Sequence, residues 1–260
     1  MKIIKSIVIL SLSLQTRLYR LFILLSLPGI VAILFSLWYA KENVLKESRM
    51  QALAIAQQLT TQQAGLLNEV KNFTVQLARL DDFSAPLKKG CPAYLKKISA
   101  LNLEIANIGI IDLTGKPRCL LSGMNKNINI SDRQYFKNAL ATKDFAIGFF
   151  QKDRSLDTLT VNFAYPLLDE NQTPYGVVVS VITLDWWSKK LASFHLPQGT
   201  LAIITDSHNR VLANSPYDAK RFGKNISEYG FSDATSGFNN IVDFNGVNHV
   251  LHKQQMYKDE

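Results

Sequence analysis

The hexapeptide Ser131-Asp132-Arg133-Gln134-Tyr135-Phe136 concentrates the side chains best suited to hold a ligand. Ser131 followed three residues later by Gln134 has capping-box spacing, which predicts that a short amphipathic helix opens here, in SDRQYFKNALAT. A guanidinium and two aromatic rings then lie near the first helical turn, whose unpaired N–H groups and positive dipole end point to the same place. Such a constellation suits a small anion with an organic body. The ordinary alternatives are a surface ion pair for Arg133 and core packing for Tyr135 and Phe136. Other chemistry is sparse. His249 and His252, three apart in a predicted strand, face opposite sides and cannot share a metal, and His195 and His208 are isolated. No zincin motif, phosphate-cradling loop or nucleophile elbow occurs. Asp112 and Asp206 stand where strands run into turns, which turn chemistry explains without catalysis. No enzyme, cofactor or metal site is expected.

The segments before the hexapeptide read as a device for holding it outside a membrane. Leu21 to Ala40 is a 20-residue run without a charge, close to the length that crosses a hydrocarbon core of about 30 Å. Pro28-Gly29 is tolerated in a membrane helix, and Trp38 and Tyr39 stand where an interfacial aromatic belt belongs. A cleaved signal peptide fits less well, since the run is long and Trp38 would occupy a position that wants a small residue. Residues 1–40 carry Lys2, Lys5, Arg17 and Arg20 and no acid, so the positive-inside rule puts the N-terminus in the cytoplasm and residues 41–260 outside. Ile3 to Leu14 is too short to span and suits the membrane surface. Of the formal net charge of +8, this leader holds four charges, and the remaining +4 argues against a nucleic-acid partner. Cys91 and Cys119 are free thiols if the compartment is reducing and a disulfide if they lie outside the membrane.

From Lys41 to Leu80 apolar positions recur at alternating steps of three and four: Leu45, Ala52, Ala56, Leu59, Leu66, Val70, Phe73, Leu77 and Leu80, interrupted by Arg49 and Gln63. The spacing predicts one long stalk helix, its near half suited to a second copy and its far half to a globular domain. Turn residues fill Asp81 to Pro92, and a short helix is expected over Ala93 to Leu103. Strands follow at Asn107–Asp112, Arg118–Leu121, Phe145–Phe150, Thr158–Leu168 and Tyr175–Leu184, the last two an antiparallel hairpin. With the Ser131 helix as crossover they make a five-stranded antiparallel sheet in an α+β fold. A capped helix is expected over Asp185–Phe194. The opening then repeats: IIDLTGKPRCL and IITDSHNRVLA share an apolar strand running into Asp, a polar turn and a return strand. Phe238–Phe244 and Val247–His252 predict a further hairpin around Asn245-Gly246. The chain is expected to stop short of completing this second module.

These residues resemble the double Cache sensor domains of bacterial transmembrane receptors, with two stacked PAS-like lobes, over residues 41–260. The resemblance rests on NIGIIDLTGKPRC, SDRQYFKNAL, VNFAYPLLDENQTPYGVVVSVITLDWW and ITDSHNRVLANSP, in that order. It implies a cytoplasmic segment (1–20), a transmembrane helix in the inner membrane (21–40) and a stalk (41–80). A membrane-distal ligand lobe (81–187) and a proximal lobe (188–260) would follow. The flanking pair Cys91 and Cys119 is similar to a subgroup fused to diguanylate cyclase or histidine kinase output domains. Carried over residue by residue, the ligand motif falls on Arg133 and Tyr135 with Phe136 beside them. Phe150, Asn162 and Tyr165 are candidates for wall and floor. The amino-acid-binding subgroup has an acid where this chain has Val181, so the resemblance favours a carboxylate over a free amino acid. The expectation is a homodimeric, membrane-anchored sensor of a small organic anion; the alternative is a structural dimerisation module that binds no small molecule.

Overall fold

The computed structural model describes residues 14–80, 91–100, 105–123, 127–229, 237–242 and 248–253. The chain divides into two compact units, Met1–Ala54 and Ile55–Glu260. Helix α1, Leu14–Ala78, has its first part in one and its last part in the other. In the first unit α1 is continuous through Pro28, and its apolar run is uncovered, with Leu24 and Leu25 76% and 79% exposed. Among the described residues it is the one helix long and apolar enough to cross a membrane, with a mean hydropathy of 2.4 in its most apolar stretch. All of Ile3 to Leu14 except Leu14 lies outside the described residues.

The second unit is built on an antiparallel sheet. Its strands are β1 (Asn107–Ile111), β2 (Pro117–Leu120), β3 (Ala146–Ile147), β4 (Gln151–Lys152), β5 (Leu159–Leu168) and β6 (Pro174–Thr183). The order is β2-β1-β6-β5-β3, with β4 also on β5. The α+β architecture is as expected, but the strand expected over Phe145–Phe150 is cut back to β3, and β4 follows just beyond it, so the sheet has six strands where five were expected. Phe149 and Phe150 are drawn away from the ladder: the Phe149 ring meets His208 edge-on at 4.5 Å, and the Phe150 N–H points to Asp206 Oδ2 at 3.4 Å.

Alternation along β5 and β6 sorts side chains to two faces. Phe163, Val161 and Ile182 pack with Leu66, Leu67 and Val70 of α1, while Ala164, Val177, Val179 and Val181 pack with α3 (Gln134–Thr142). The predicted stripe on α1 is thus buried at Gln63, Leu66, Val70 and Leu77 and partly buried at Phe73, whereas Leu80 is 40% exposed. Gln63 is no defect in that stripe. It is 1% exposed, and its Oε1 accepts a 2.6 Å hydrogen bond from the Trp187 indole N–H on α4 (Leu184–Ala192). Eleven residues on, the buried Thr74 hydroxyl bonds Ser180 on β6 at 2.8 Å. Gln63→Leu leaves the Trp187 N–H unpaired in an apolar setting and should cost about 1–3 kcal/mol in urea unfolding. Removing both partners in Gln63→Leu/Trp187→Phe should recover most of it; equal losses in the single and double variants would show that the bond is not what matters.

Helix α2 (Cys91–Ser99) starts two residues earlier than expected, and residues 101–103 of the expected helix lie outside the described residues. Cys91 and Cys119 are bonded, tying α2 to β2. Helix α4 begins one residue before Asp185, and Thr183 caps it, its hydroxyl accepting the Trp186 N–H at 3.2 Å. The expected repeat recurs atom for atom. In the β1–β2 turn the Asp112 carboxylate accepts the N–H groups of Thr114 and Lys116, and the Asp112 N–H meets the Lys116 carbonyl. In β7 (Ala202–Thr205) and β8 (Val211–Ser215), Asp206 does the same with His208 and Arg210. Asp169 does it a third time with Asn171 and Thr173. The fourth turn residue has positive φ each time: Gly115 at 82°, Asn209 at 58° and Gln172 at 58°, the conformation that lets a short turn close on an aspartate.

Strands β9 (Gly237–Val242) and β10 (Asn248–Lys253) form the last expected hairpin, though Asn245-Gly246 lies outside the described residues. The β7–β8 and β9–β10 pairs are separate two-stranded sheets. The β7–β8 hairpin shares its core with the first sheet, since Ile204, Leu212 and Ala213 pack with Phe163 and Trp187.

Candidate functional site

The face of the sheet toward α3 carries a cavity whose floor is a row of three strands. Asn107 of β1 and Asn162 of β5 both stand opposite Val181 of β6, so the row reads amide, isopropyl, amide. All three line the cavity. Both amides are buried and bonded. Asn107 Nδ2 donates to Ser122 Oγ (3.0 Å) and Ser155 Oγ (2.7 Å). Asn162 Nδ2 donates to Asp153 Oδ2 (2.9 Å) and the Tyr135 hydroxyl (3.3 Å), and its Oδ1 accepts from Thr160 (2.7 Å). Two chain segments complete the walls: Ile128, Ile130 and Arg133 before and at the start of α3, and Gln151 to Ser155, which is β4 and the turn after it. The cavity is small, about 30 Å³ in volume.

The helix start differs from the expected capping box. Helix α3 opens at Gln134, with Arg133 as a cap residue that makes no side-chain cap bond. Ser131 and Asp132 belong to a turn closed by the Arg133 N–H on the Ile130 carbonyl at 3.0 Å. Gln134 reaches forward to Asn138 Oδ1 at 2.7 Å instead of back to Ser131. The cause is tertiary. Asn129 Oδ1 accepts the Ser131 N–H, and Arg154 grips both Asp132 oxygens at 2.7 and 2.9 Å while its fork also reaches the Asn129 carbonyl.

That grip determines the charge left in the cavity. With Asp132 occupied, Arg133 has loose ties only: 4.0 Å from Nε to Asp132 Oδ2 and 3.5 Å to the Lys152 carbonyl. Its side chain is 24% exposed. The bonded Arg154 guanidinium holds the Asp132 carboxyl below its ordinary value, against a smaller opposing effect of burial. Burial pushes the Tyr135 phenol up, so the hydroxyl stays protonated and able to donate. Asp153, 7% exposed, brings a carboxylate to the same cavity. Its Oδ1 accepts from the Ser155 N–H and hydroxyl and from Leu156, whereas Oδ2 accepts from Asn162. Two arginines, one of them bonded to Asp132, thus line one small space with Lys152, a carboxylate, a phenol and two amides.

Of the residues named from sequence, Arg133, Tyr135 and Asn162 come together here. Phe136 does not line the cavity; it is 3% exposed and packs in the core with Ala139, Ala164 and Val177, because adjacent helix residues point about 100° apart. Phe150 lies outside too, against Gly223 and under the Arg210 guanidinium, 5.5 Å from its ring. Tyr165 is three residues from Asn162 on β5, and the two-residue period turns it to the opposite face. Sequence reasoning missed Asn107, Asp153 and Arg154. The signals were an asparagine opening an apolar strand and a polar run, QKDRS, between two apolar segments. Among the described residues no three His, Cys, Asp or Glu side chains gather as a metal site.

A sheet with a cavity under a cross-over helix, followed by a repeat of its opening hairpin, defines a class of sensor domain. The chain belongs to the Cache domain family, whose double-Cache model matches residues 38–257. In fold it is similar to the ligand-binding domain of the Pseudomonas aeruginosa amino acid chemoreceptor PctC in complex with GABA (TM-score 0.56, 16% identity, 78% of this chain and 89% of that one). It is also similar to that of Pseudomonas fluorescens CtaA with L-isoleucine (0.58, 16%, 81% and 84%). A third likeness is to Campylobacter jejuni Tlp3 with L-valine (0.57, 15%, 81% and 87%). No curated protein matches the chain in sequence.

Proposed function

We propose that this chain is a membrane-anchored extracytoplasmic sensor whose cavity captures a small carboxylate, with Arg133 as the group that holds it. The observation that carries the reading is the state of Arg133: a guanidinium lining a cavity while the nearest carboxylate is taken by Arg154. Arginine's planar fork suits a carboxylate with two parallel bonds. Asp153 Oδ2 and the Tyr135 hydroxyl give the same cavity a place for an ammonium, although Val181 supplies none. A small zwitterion is therefore admitted beside a simple acid. The amino-acid and GABA complexes of the similar chemoreceptor domains support that extension. The cavity's size favours a ligand of few heavy atoms.

In this reading residues 1–20 are cytoplasmic and 21–40 span the inner membrane. Residues 41–80 form the stalk, 81–187 the distal ligand lobe and 188–260 the proximal lobe. Two copies pair through the stalk, and occupancy passes along α1 toward an output domain, of cyclase or kinase type, in a longer protein. The test is a thermal-shift and calorimetric screen of the chain in nanodiscs with acetate, propionate, L-alanine and GABA. Arg133→Ala removes charge-assisted bonds of about 1.5–3 kcal/mol and should weaken every ligand roughly ten- to hundred-fold. Asp153→Asn should weaken L-alanine and GABA and spare acetate. Binding that survives Arg133→Ala would place the site elsewhere.

A further inference from the structure

The charged groups around the cavity are not equivalent: one arginine grips a carboxylate with two prongs and its neighbour has only loose ties. Arg154 holds three acceptors, both Asp132 oxygens and the Asn129 carbonyl. Arg133, next to Asp132 in sequence, stands 4.0 Å from the nearer oxygen, so a shift of about an ångström would bring the two into full contact. We propose that Arg154 is a positioning residue of the site: by gripping Asp132 with both prongs it keeps that carboxylate off Arg133, leaving the Arg133 guanidinium for the ligand. The same bonds tie the turn carrying Asn129 and Asp132 to the segment carrying Asp153 and Ser155, so the two walls of the cavity are fixed to each other.

The chemistry explains why an arginine and not a lysine stands at 154. An ammonium could neutralise Asp132 but could not hold both oxygens and a carbonyl in one plane. The direction of the Asp132 titration agrees, since the bond from Arg154 is its first cause and the charge of Arg133 its last. Asp132 and Arg154 are 58% and 41% exposed, so the competition is between partly hydrated pairs and its size is modest. Without Arg154, the ligand must displace Asp132 from Arg133, which weakens binding roughly two- to five-fold.

The proposal rests on Arg133 as the carboxylate-binding group, and its test separates the two claims. In the full chain in nanodiscs, phenylglyoxal modification of Arg133 is timed by peptide mass spectrometry, which reads how free that guanidinium is without any ligand. Arg154→Gln should slow the modification of Arg133 roughly two- to five-fold. The double variant Asp132→Asn/Arg154→Gln should restore the wild-type rate, a recovery that general loosening of the loops would not produce. Arg154→Lys, the milder change, should fall between. Affinities for acetate and GABA should follow the same order across the four proteins. An unchanged Arg133 rate in Arg154→Gln overturns the proposal, as does a loss that the double variant does not recover. If the rates follow this order while wild-type protein binds neither acetate nor GABA, the control of Asp132 by Arg154 stands and the carboxylate reading of Arg133 fails.

Discussion

Replacing Cys91 and Cys119 together by alanine should lower the unfolding free energy by about 3–4 kcal/mol. The bond spans 28 positions, and on the chain-entropy model closing a loop of that length restricts the unfolded chain by about this amount. Both residues are buried, at 9% and 1% exposure, so alanine fits either place and the small void left by each sulfur only adds to the loss. The tether matters here because α2 has nine residues, too few to persist alone. Its fixed points are the bond and Leu95, which is wholly buried with Ile108, Ile110 and Leu77. Urea unfolding followed by circular dichroism checks the figure, with reduced wild-type protein expected to match the alanine pair. Equal midpoints with and without the bond would mean that contacts alone hold α2.

Gly223→Ala should be comparably damaging, by about 2–5 kcal/mol, for two independent reasons. Gly223 has φ +73°, where any Cβ-bearing residue is strained by roughly 1–2 kcal/mol. A Cβ there would also lie 2.2 Å from the Phe150 ring, and forcing an aromatic ring out of its seat costs about 1–3 kcal/mol more. The seat is well defined, with the Phe150 N–H on Asp206 and the Arg210 guanidinium over the ring. Trimming the ring in Gly223→Ala/Phe150→Ala should remove the clash and leave the backbone strain. The double variant should therefore lose less than the two single losses added together. Strict additivity in urea unfolding would show that the ring and the glycine do not compete for space.

What the residues disclosed on their own was what local chemistry settles. The hairpin tips at Asp112, Asp169 and Asp206 were readable because an aspartate, two N–H groups and a residue that tolerates positive φ lie within four positions of one another. The α1 stripe was readable because its period is continuous, and Gln63 looked like a fault only because its partner, Trp187, is 124 positions away. The misreadings share one cause. Ser131 has the right neighbours for a cap, but Asn129 and Arg154 hold Ser131 and Asp132 in a turn. Phe149 and Phe150 look like strand residues, and their binding to the second hairpin breaks the strand. Asp153 and Arg154 have no periodicity, and the polar run QKDRS around them does not by itself say what it faces. Tyr165 was the avoidable error, since counting by twos from Asn162 puts it on the other face.

Strand β6 carries one further consequence. Val179 and Val181 line the cavity, and Ser180 between them holds the Thr74 hydroxyl of α1 from the other side of the same strand. Cavity and helix are therefore separated by the thickness of one backbone, and no relay of side chains is needed to join them. Sliding the strand by one residue would exchange the two faces and destroy both, so the motion open to β6 is a tilt or a rise, with register kept. A hydroxyl pair at 2.8 Å is a short-range spring: a few tenths of an ångström weakens it. Any displacement of β6 at Val179 to Val181 is therefore felt on α1 within a few tenths of an ångström.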